Sequence, residues 1–264
     1  MAYSAFKHIY GPVYSWRMGM SLGLDPISTT QKICNFNCTY CQLGCVGKAD
    51  VVAARKVFVP TADIIEDVKA LKTDEAIDYL TFSGNGEPTL ALNLGEMIQA
   101  VRSFRPEKVA VITNGTLLGL NVVQQDLCGV DFVLVKLDAA DETIFQALNC
   151  PAPGISLKST VAGIKAFKAM FAGRMALQMM FIETNKMQAS RLAFLAREIN
   201  ADEVQLNTPL RPNGQRPLSL EEMLAVKDHF SGLNVRMVYE EEKKDYHPFD
   251  EQQTLRRHGQ YKNV

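Results

Sequence analysis

The chain has 264 residues, 47% of them hydrophobic, and a formal net charge of −1. That length suits one α/β barrel, and no run approaches the ~18 apolar residues that a membrane helix needs. The near-neutral balance argues against a partner held mainly through its phosphates, and the stretch from Met1 to Trp16 has no apolar block of the signal-peptide kind.

Apolar strand-like runs alternate with amphipathic helical stretches along the chain. The expected strands are Ser21–Pro26, Tyr79–Ser83, Lys108–Thr113, Phe132–Leu137, Ala176–Ile182, Glu203–Asn207 and Val235–Tyr239. Helical periodicity falls between them, near Ala62–Leu71, Leu94–Phe104, Val122–Leu127, Leu157–Phe171, Ala189–Ile199 and Leu220–Phe230. Thr61, Asn93 and Ser219 stand where helix caps belong. Strands alternating with helices predict parallel βαβ units with right-handed crossovers, and about six of them make a partial (β/α)6 barrel of TIM type. Residues 1–240 are expected to form that barrel, with the first twenty packed on it or skirting its mouth. Residues 241–264 read as a polar tail, solvated or folded over the open side as a lid.

Cys34, Cys38 and Cys41 lie three and then two residues apart in CNFNCTYC. Three thiolates on one loop can hold three irons of a cubane [4Fe–4S] cluster and leave the fourth iron open to a small molecule. Cys45 follows four positions later. With it, the same residues can instead close a four-thiolate zinc site, or a fully ligated cluster that only carries electrons. The chain has six cysteines, four of them crowded into this stretch. That is not a secreted disulfide framework and points to a reducing cytoplasm.

Parallel barrels gather ligands at the C-terminal ends of their strands. The second strand ends in Ser83-Gly84-Asn85-Gly86-Glu87-Pro88, where glycines let the backbone approach a ligand and offer carbonyls to an ammonium group. The same cluster can be an ordinary turn. Asn114 ends the third strand, and Lys136-Leu137-Asp138 ends the fourth. Lys136 and Asp138 share a face by alternation, and Asp138 can bind a ligand or cap the helix near Asp141. Glu183 and Asn207 close the fifth and sixth strands, and the loop holding Arg211, Asn213 and Arg216 follows. Met179, Met180 and Phe181 read as core, as do Cys128 and Cys150 in the role of small hydrophobes.

The cysteine run, with Tyr40 before its last cysteine, resembles the CxxxCxΦC signature of the radical S-adenosylmethionine (SAM) superfamily. Gly84, Asn85, Gly86 and Glu87 resemble its GGEP motif, which holds the methionine amino group of SAM. Tyr10-Gly11-Pro12-Val13, Arg17, Ser21-Leu22-Gly23 and Lys32, taken with both motifs and Thr113-Asn114-Gly115, look like the wyosine-base synthetase-like proteins of that superfamily. The resemblance implies a [4Fe–4S] cluster on Cys34, Cys38 and Cys41, whose open iron chelates SAM and whose electron breaks it to a 5′-deoxyadenosyl radical. It also implies cofactor contacts at Tyr40, Asn114, Asp138, Glu183 and Asn207, and a flavodoxin or ferredoxin as electron donor. No cysteine precedes Cys34, so the second cluster of wyosine-forming enzymes has no ligands here. The substrate stays open among an RNA base, a peptide and a small metabolite. A glycyl-radical activase is the alternative enzyme, and an electron carrier or zinc-stabilised binding protein the alternative outside enzymology.

Overall fold

The apolar runs fold into one eight-stranded sheet whose strands lie side by side in sequence order. The structure is a computed structural model that describes residues 6–47, 51–72, 76–211, 213–242 and 244–258. Strands β1 (Ile9–Ser15) and β2 (Gly19–Leu24) form an antiparallel hairpin. From β2 onward every pairing is parallel, through β3 (Tyr79–Phe82), β4 (Lys108–Thr113), β5 (Phe132–Lys136), β6 (Arg174–Met180), β7 (Glu203–Asn207) and β8 (Val235–Met237). Between them run α1 (Thr61–Ala70), α2 (Leu94–Arg102), α3 (Asn121–Leu127), α4 (Glu142–Asn149), α5 (Leu157–Met170), α6 (Ala189–Ile199) and α7 (Leu220–Asp228), with α8 (Glu251–His258) last. This is the expected partial barrel, with seven parallel strands and an antiparallel edge.

Side-chain alternation sorts the strand residues into two layers. Val109, Val111, Val133, Val135, Leu177 and Leu206 face the helices in the main core. Ala110, Phe132, Leu134 and Ala176 face the barrel interior, where Met18 from the hairpin turn packs among them. The N-terminal segment is therefore part of the sheet and plugs its interior. A Gly-Pro pair interrupts β1, and the register shifts between Tyr10 and Val13, which an edge strand tolerates.

Caps and tail differ in part from expectation. Ser219 forms a full capping box with Glu222 on α7. Thr61 is the first residue inside α1, and Asn93, at the cap position of α2, spends its amide on Val59 O and Thr61 Oγ1. Asp141, not Asp138, caps α4 by accepting from Ile144 N. The tail is docked through α8: Thr254 Oγ1 accepts from Gly11 N at 3.0 Å, and Arg257 is 2% exposed.

The gap between β1 and β8 is closed by side chains. Trp16 packs with Leu210 and Val238, and Arg236 lies 5.6 Å from the Trp16 ring while donating to the carbonyls of Trp16 and Arg17.

Candidate functional site

The cysteine loop is fastened at both ends. After β2, Asp25 is fully buried and accepts from Ile27 N, Ser28 N, Asn85 N and Arg257 Nε. Ile33 pairs with Gly86 as an isolated parallel bridge, in which Ile33 N donates to Asn85 O and Glu87 N to Ile33 O. A Cβ on Gly86 would stand 1.7 Å from Ile33 O, so only glycine lets the two segments approach this closely. The far side of the loop hangs on α4, where Asn37 N and Thr39 N donate to the carbonyls of Asn149 and Leu148.

Cys34, Cys38 and Cys41 are half-buried. Burial pushes the Cys34 thiol well above its ordinary range and the Cys38 thiol up to about 12. Burial also works against the Lys32 ammonium, but Cys41, Cys34 and Cys38 beside it outweigh that and raise it. Donors point at the sulfurs: Phe36 N to Cys34 Sγ at 3.4 Å, Asn114 Nδ2 to Cys34 Sγ at 3.8 Å and Asn149 Nδ2 to Cys38 Sγ at 3.5 Å. A lysine and N–H donors around three soft sulfurs suit thiolate ligands of an iron–sulfur cluster. Cys45 is exposed, and among the described residues no three Cys, His, Asp or Glu side chains are gathered as one metal ion requires.

Two carboxylates behind the loop hold its shape. Glu87 accepts from Thr89 N, Thr89 Oγ1, Thr113 Oγ1 and Asn114 N, which ties the end of β3 to the end of β4. Burial raises its pKa although these donors pull it down. Asp138, 2% exposed, accepts from the Tyr40 hydroxyl, from Asn149 Nδ2 at 3.0 Å and from Met180 N at 2.7 Å. Burial, then Asp138, then Cys38 raise the Tyr40 hydroxyl well above its ordinary value. Lys136 Nζ lies 3.2 Å from Asp138 Oδ1 and 5.1 Å from the Tyr40 ring centre, out of hydrogen-bonding line.

A cavity of ≈ 310 Å³ opens beside these groups and runs down into the barrel. Tyr40, Cys41, Gly84, Gly86 and Asn207 line its upper part. Asn85 turns aside, its amide on Thr29 O, and Asn114 bonds Asn35 Oδ1. Glu183 is outside: its carboxylate is exposed between Lys186 and Arg216. Met180 lines the cavity, in contrast to the buried Met179 and Phe181, and Cys128 is exposed rather than core. Arg211 also reaches the cavity, donating to Gln42 Oε1 at 2.5 Å.

Several site residues carry no motif. Asn149 ends α4, and its position under the loop follows only from the fold. Gln178 lines the cavity at 6% exposure, beside Lys136 in the strand register, and its carboxamide enters none of the hydrogen bonds among the described residues. Arg257 and His258 reach the cavity from α8. Alternation along β6 places Gln178 on the inner face, a signal the sequence does hold.

The family model described as Radical SAM superfamily matches residues 28–195. A UPF0026 protein of Synechocystis sp. is 39% identical over 219 residues, which cover 83% of this chain and 80% of that protein. Among solved structures, a radical SAM methyltransferase from Sphaerobacter thermophilus superposes with a TM-score of 0.65 at 16% identity, covering 82% of this chain and 65% of that one. This chain thus spans less than two thirds of that structure. Archaeal TYW1 superposes with a TM-score of 0.54 at 14% identity, over 84% and 74% of the two chains. At these identities the superpositions establish the fold. With the matched model covering more than half its length, the chain belongs to the radical SAM superfamily of enzymes.

Proposed function

We propose that Cys34, Cys38 and Cys41 hold a [4Fe–4S] cluster and that the upper cavity binds SAM, so that the protein abstracts hydrogen from a substrate inside the barrel. When bound, the pair supplies the chemistry itself, a 5′-deoxyadenosyl radical made by one-electron cleavage of SAM. The observation that carries this reading is that three half-buried thiols gather around Lys32 and that one of them, Cys41, lines the same cavity as Gly84 and Gly86.

The chain's own residues do the rest. Bridged to Ile33, the Gly84–Gly86 backbone presents itself to the SAM ammonium, and Glu87 fixes that turn from behind. Tyr40, held by Asp138, forms a wall for the adenine, and Asn207 offers its amide to the ribose or carboxylate, whereas the Asn114 amide is spent on Asn35 and Cys34. Glu183 has no part in this assignment. The apolar lining from Ile112, Leu134 and Met180 excludes water from the reacting carbon. The electron comes from a flavodoxin or ferredoxin, and the setting is the cytoplasm. Among the described residues no helix is long and apolar enough to cross a membrane.

For the substrate, a half-open pocket of this volume with Arg17, Lys136 and Arg211 on its wall favours a small anionic molecule over an RNA base. The test is anaerobic reconstitution followed by dithionite and SAM. The expected result is about four irons per chain and formation of 5′-deoxyadenosine, both lost on substituting Cys34, Cys38 or Cys41 by Ala and both kept in Cys45→Ala. A protein that holds four irons, depends on Cys45 and leaves SAM intact is an electron carrier, and the proposal falls.

A further inference from the structure

We infer that Asn149 is a positioning residue that sets the reduction potential of the cluster through an N–H···S hydrogen bond to Cys38. This rests on the reading that Cys38 is a cluster ligand. Three observations support it. Asn149 is 1% exposed, so its side chain cannot trade partners with water. Its Nδ2 lies 3.0 Å from Asp138 Oδ2, 3.5 Å from Cys38 Sγ and 3.4 Å from the Tyr40 oxygen. Its backbone carbonyl accepts from Asn37 N at 2.9 Å, one residue before Cys38, so side chain and loop keep a fixed distance.

An amide nitrogen has two hydrogens to share among these acceptors. Asp138 takes one, being the nearest and a carboxylate. That contact fixes the plane of the amide, because Met180 N holds Asp138 in turn at 2.7 Å. The second hydrogen then points between Cys38 Sγ and the Tyr40 oxygen. Tyr40 already donates its own proton to Asp138. A thiolate ligand, carrying charge, is the stronger acceptor of the two.

Hydrogen bonds to cluster sulfurs belong to the determinants of iron–sulfur potentials, and partners behind the ligands are as much a part of a metal site as the ligands. Reducing [4Fe–4S]2+ to [4Fe–4S]+ adds one electron, supplied by the donor protein or by dithionite, and part of its density falls on the thiolate sulfurs. The N–H···S bond is therefore stronger in the reduced state and raises the potential. Asn114, at 3.8 Å from Cys34 Sγ, acts in the same direction with a smaller share.

The experiment is an EPR-monitored redox titration of anaerobically reconstituted full-length protein, without SAM, for the wild type, Asn149→Leu and Asn114→Leu. Asn149→Leu keeps the branched outline of the side chain and removes the donor. Iron content and circular dichroism confirm that the variant is folded and loaded. Its cluster is expected to be roughly tenfold harder to reduce, or ~59 mV more negative for one electron, with a smaller shift in the same direction for Asn114→Leu. Where Asn149→Leu loses its iron, Asn149→Met repeats the measurement with a more adaptable apolar chain. Loaded variants with the wild-type potential, or a positive shift, overturn the inference and leave the functional reading intact. A wild-type protein that takes up no cluster overturns both.

Discussion

At the scale of single residues, the site separates groups whose bonds are complete from groups held open. Glu87 and Asp138 are buried acids with several donors each, and their work is to hold other groups in place. Gln178 is the reverse, a buried carboxamide facing the cavity with no hydrogen bond among the described residues. Its carboxamide opens on the cavity, where solvent meets it in the absence of a ligand, so it carries no desolvation cost of its own. Gln178→Leu is therefore expected to move the melting temperature of the unliganded protein by less than about 2 °C. Differential scanning calorimetry checks this, and a larger drop would make Gln178 a structural residue. The sequence showed the cysteines and the glycine turn because each needs particular residue types at fixed spacing. Asn149 and Gln178 escaped because their roles depend on which strand or helix end lies beside them. Glu183 was placed at a strand end, but β6 stops at Met180 and the chain carries Glu183 out to solvent.

At the scale of elements, the cysteine loop behaves as an extension of the sheet. The Ile33–Gly86 bridge prolongs the β2–β3 pairing beyond the strands and sets Cys34 against the glycine turn. Gly86→Ala forces a methyl group onto Ile33 O and breaks both hydrogen bonds of the bridge. The expected outcome is a loss of about 2–3 kcal/mol in stability, faster amide exchange at Ile33 and Glu87, and less iron bound on reconstitution. Hydrogen exchange and iron analysis give the two readouts, and normal protection in the variant would show that the loop stands without the bridge. All seven parallel strands were legible to within two residues at either end, because their runs are continuous and apolar. The antiparallel β1 was not, since its Gly-Pro interruption erases the period that marks a strand.

At the scale of the whole molecule, the last described helix and the barrel are one unit. Arg257 and Asp25 form an ion pair with side chains 1% and 0% exposed, joining the last helix to the residue after β2. Removing one partner leaves a buried charge uncompensated, at a cost of about 3–5 kcal/mol. Arg257→Ala is expected to lower the melting temperature by roughly 10 °C, and Asp25→Asn with Arg257→Met to cost less than the two changes summed. A double-mutant cycle by thermal denaturation measures both. Additive effects would mean that the pair is not coupled. None of this could be read from a tail rich in charge, because the partner lies more than two hundred residues away in sequence.

The closure at Trp16 has a consequence for traffic through the molecule. No ladder of backbone hydrogen bonds joins the first and last strands, so an indole and a guanidinium are the hasp on that flank. Rotating them breaks no ladder, whereas prying apart any other neighbouring strands means rupturing paired amides. If reactants enter or products leave sideways, this is where the wall yields first.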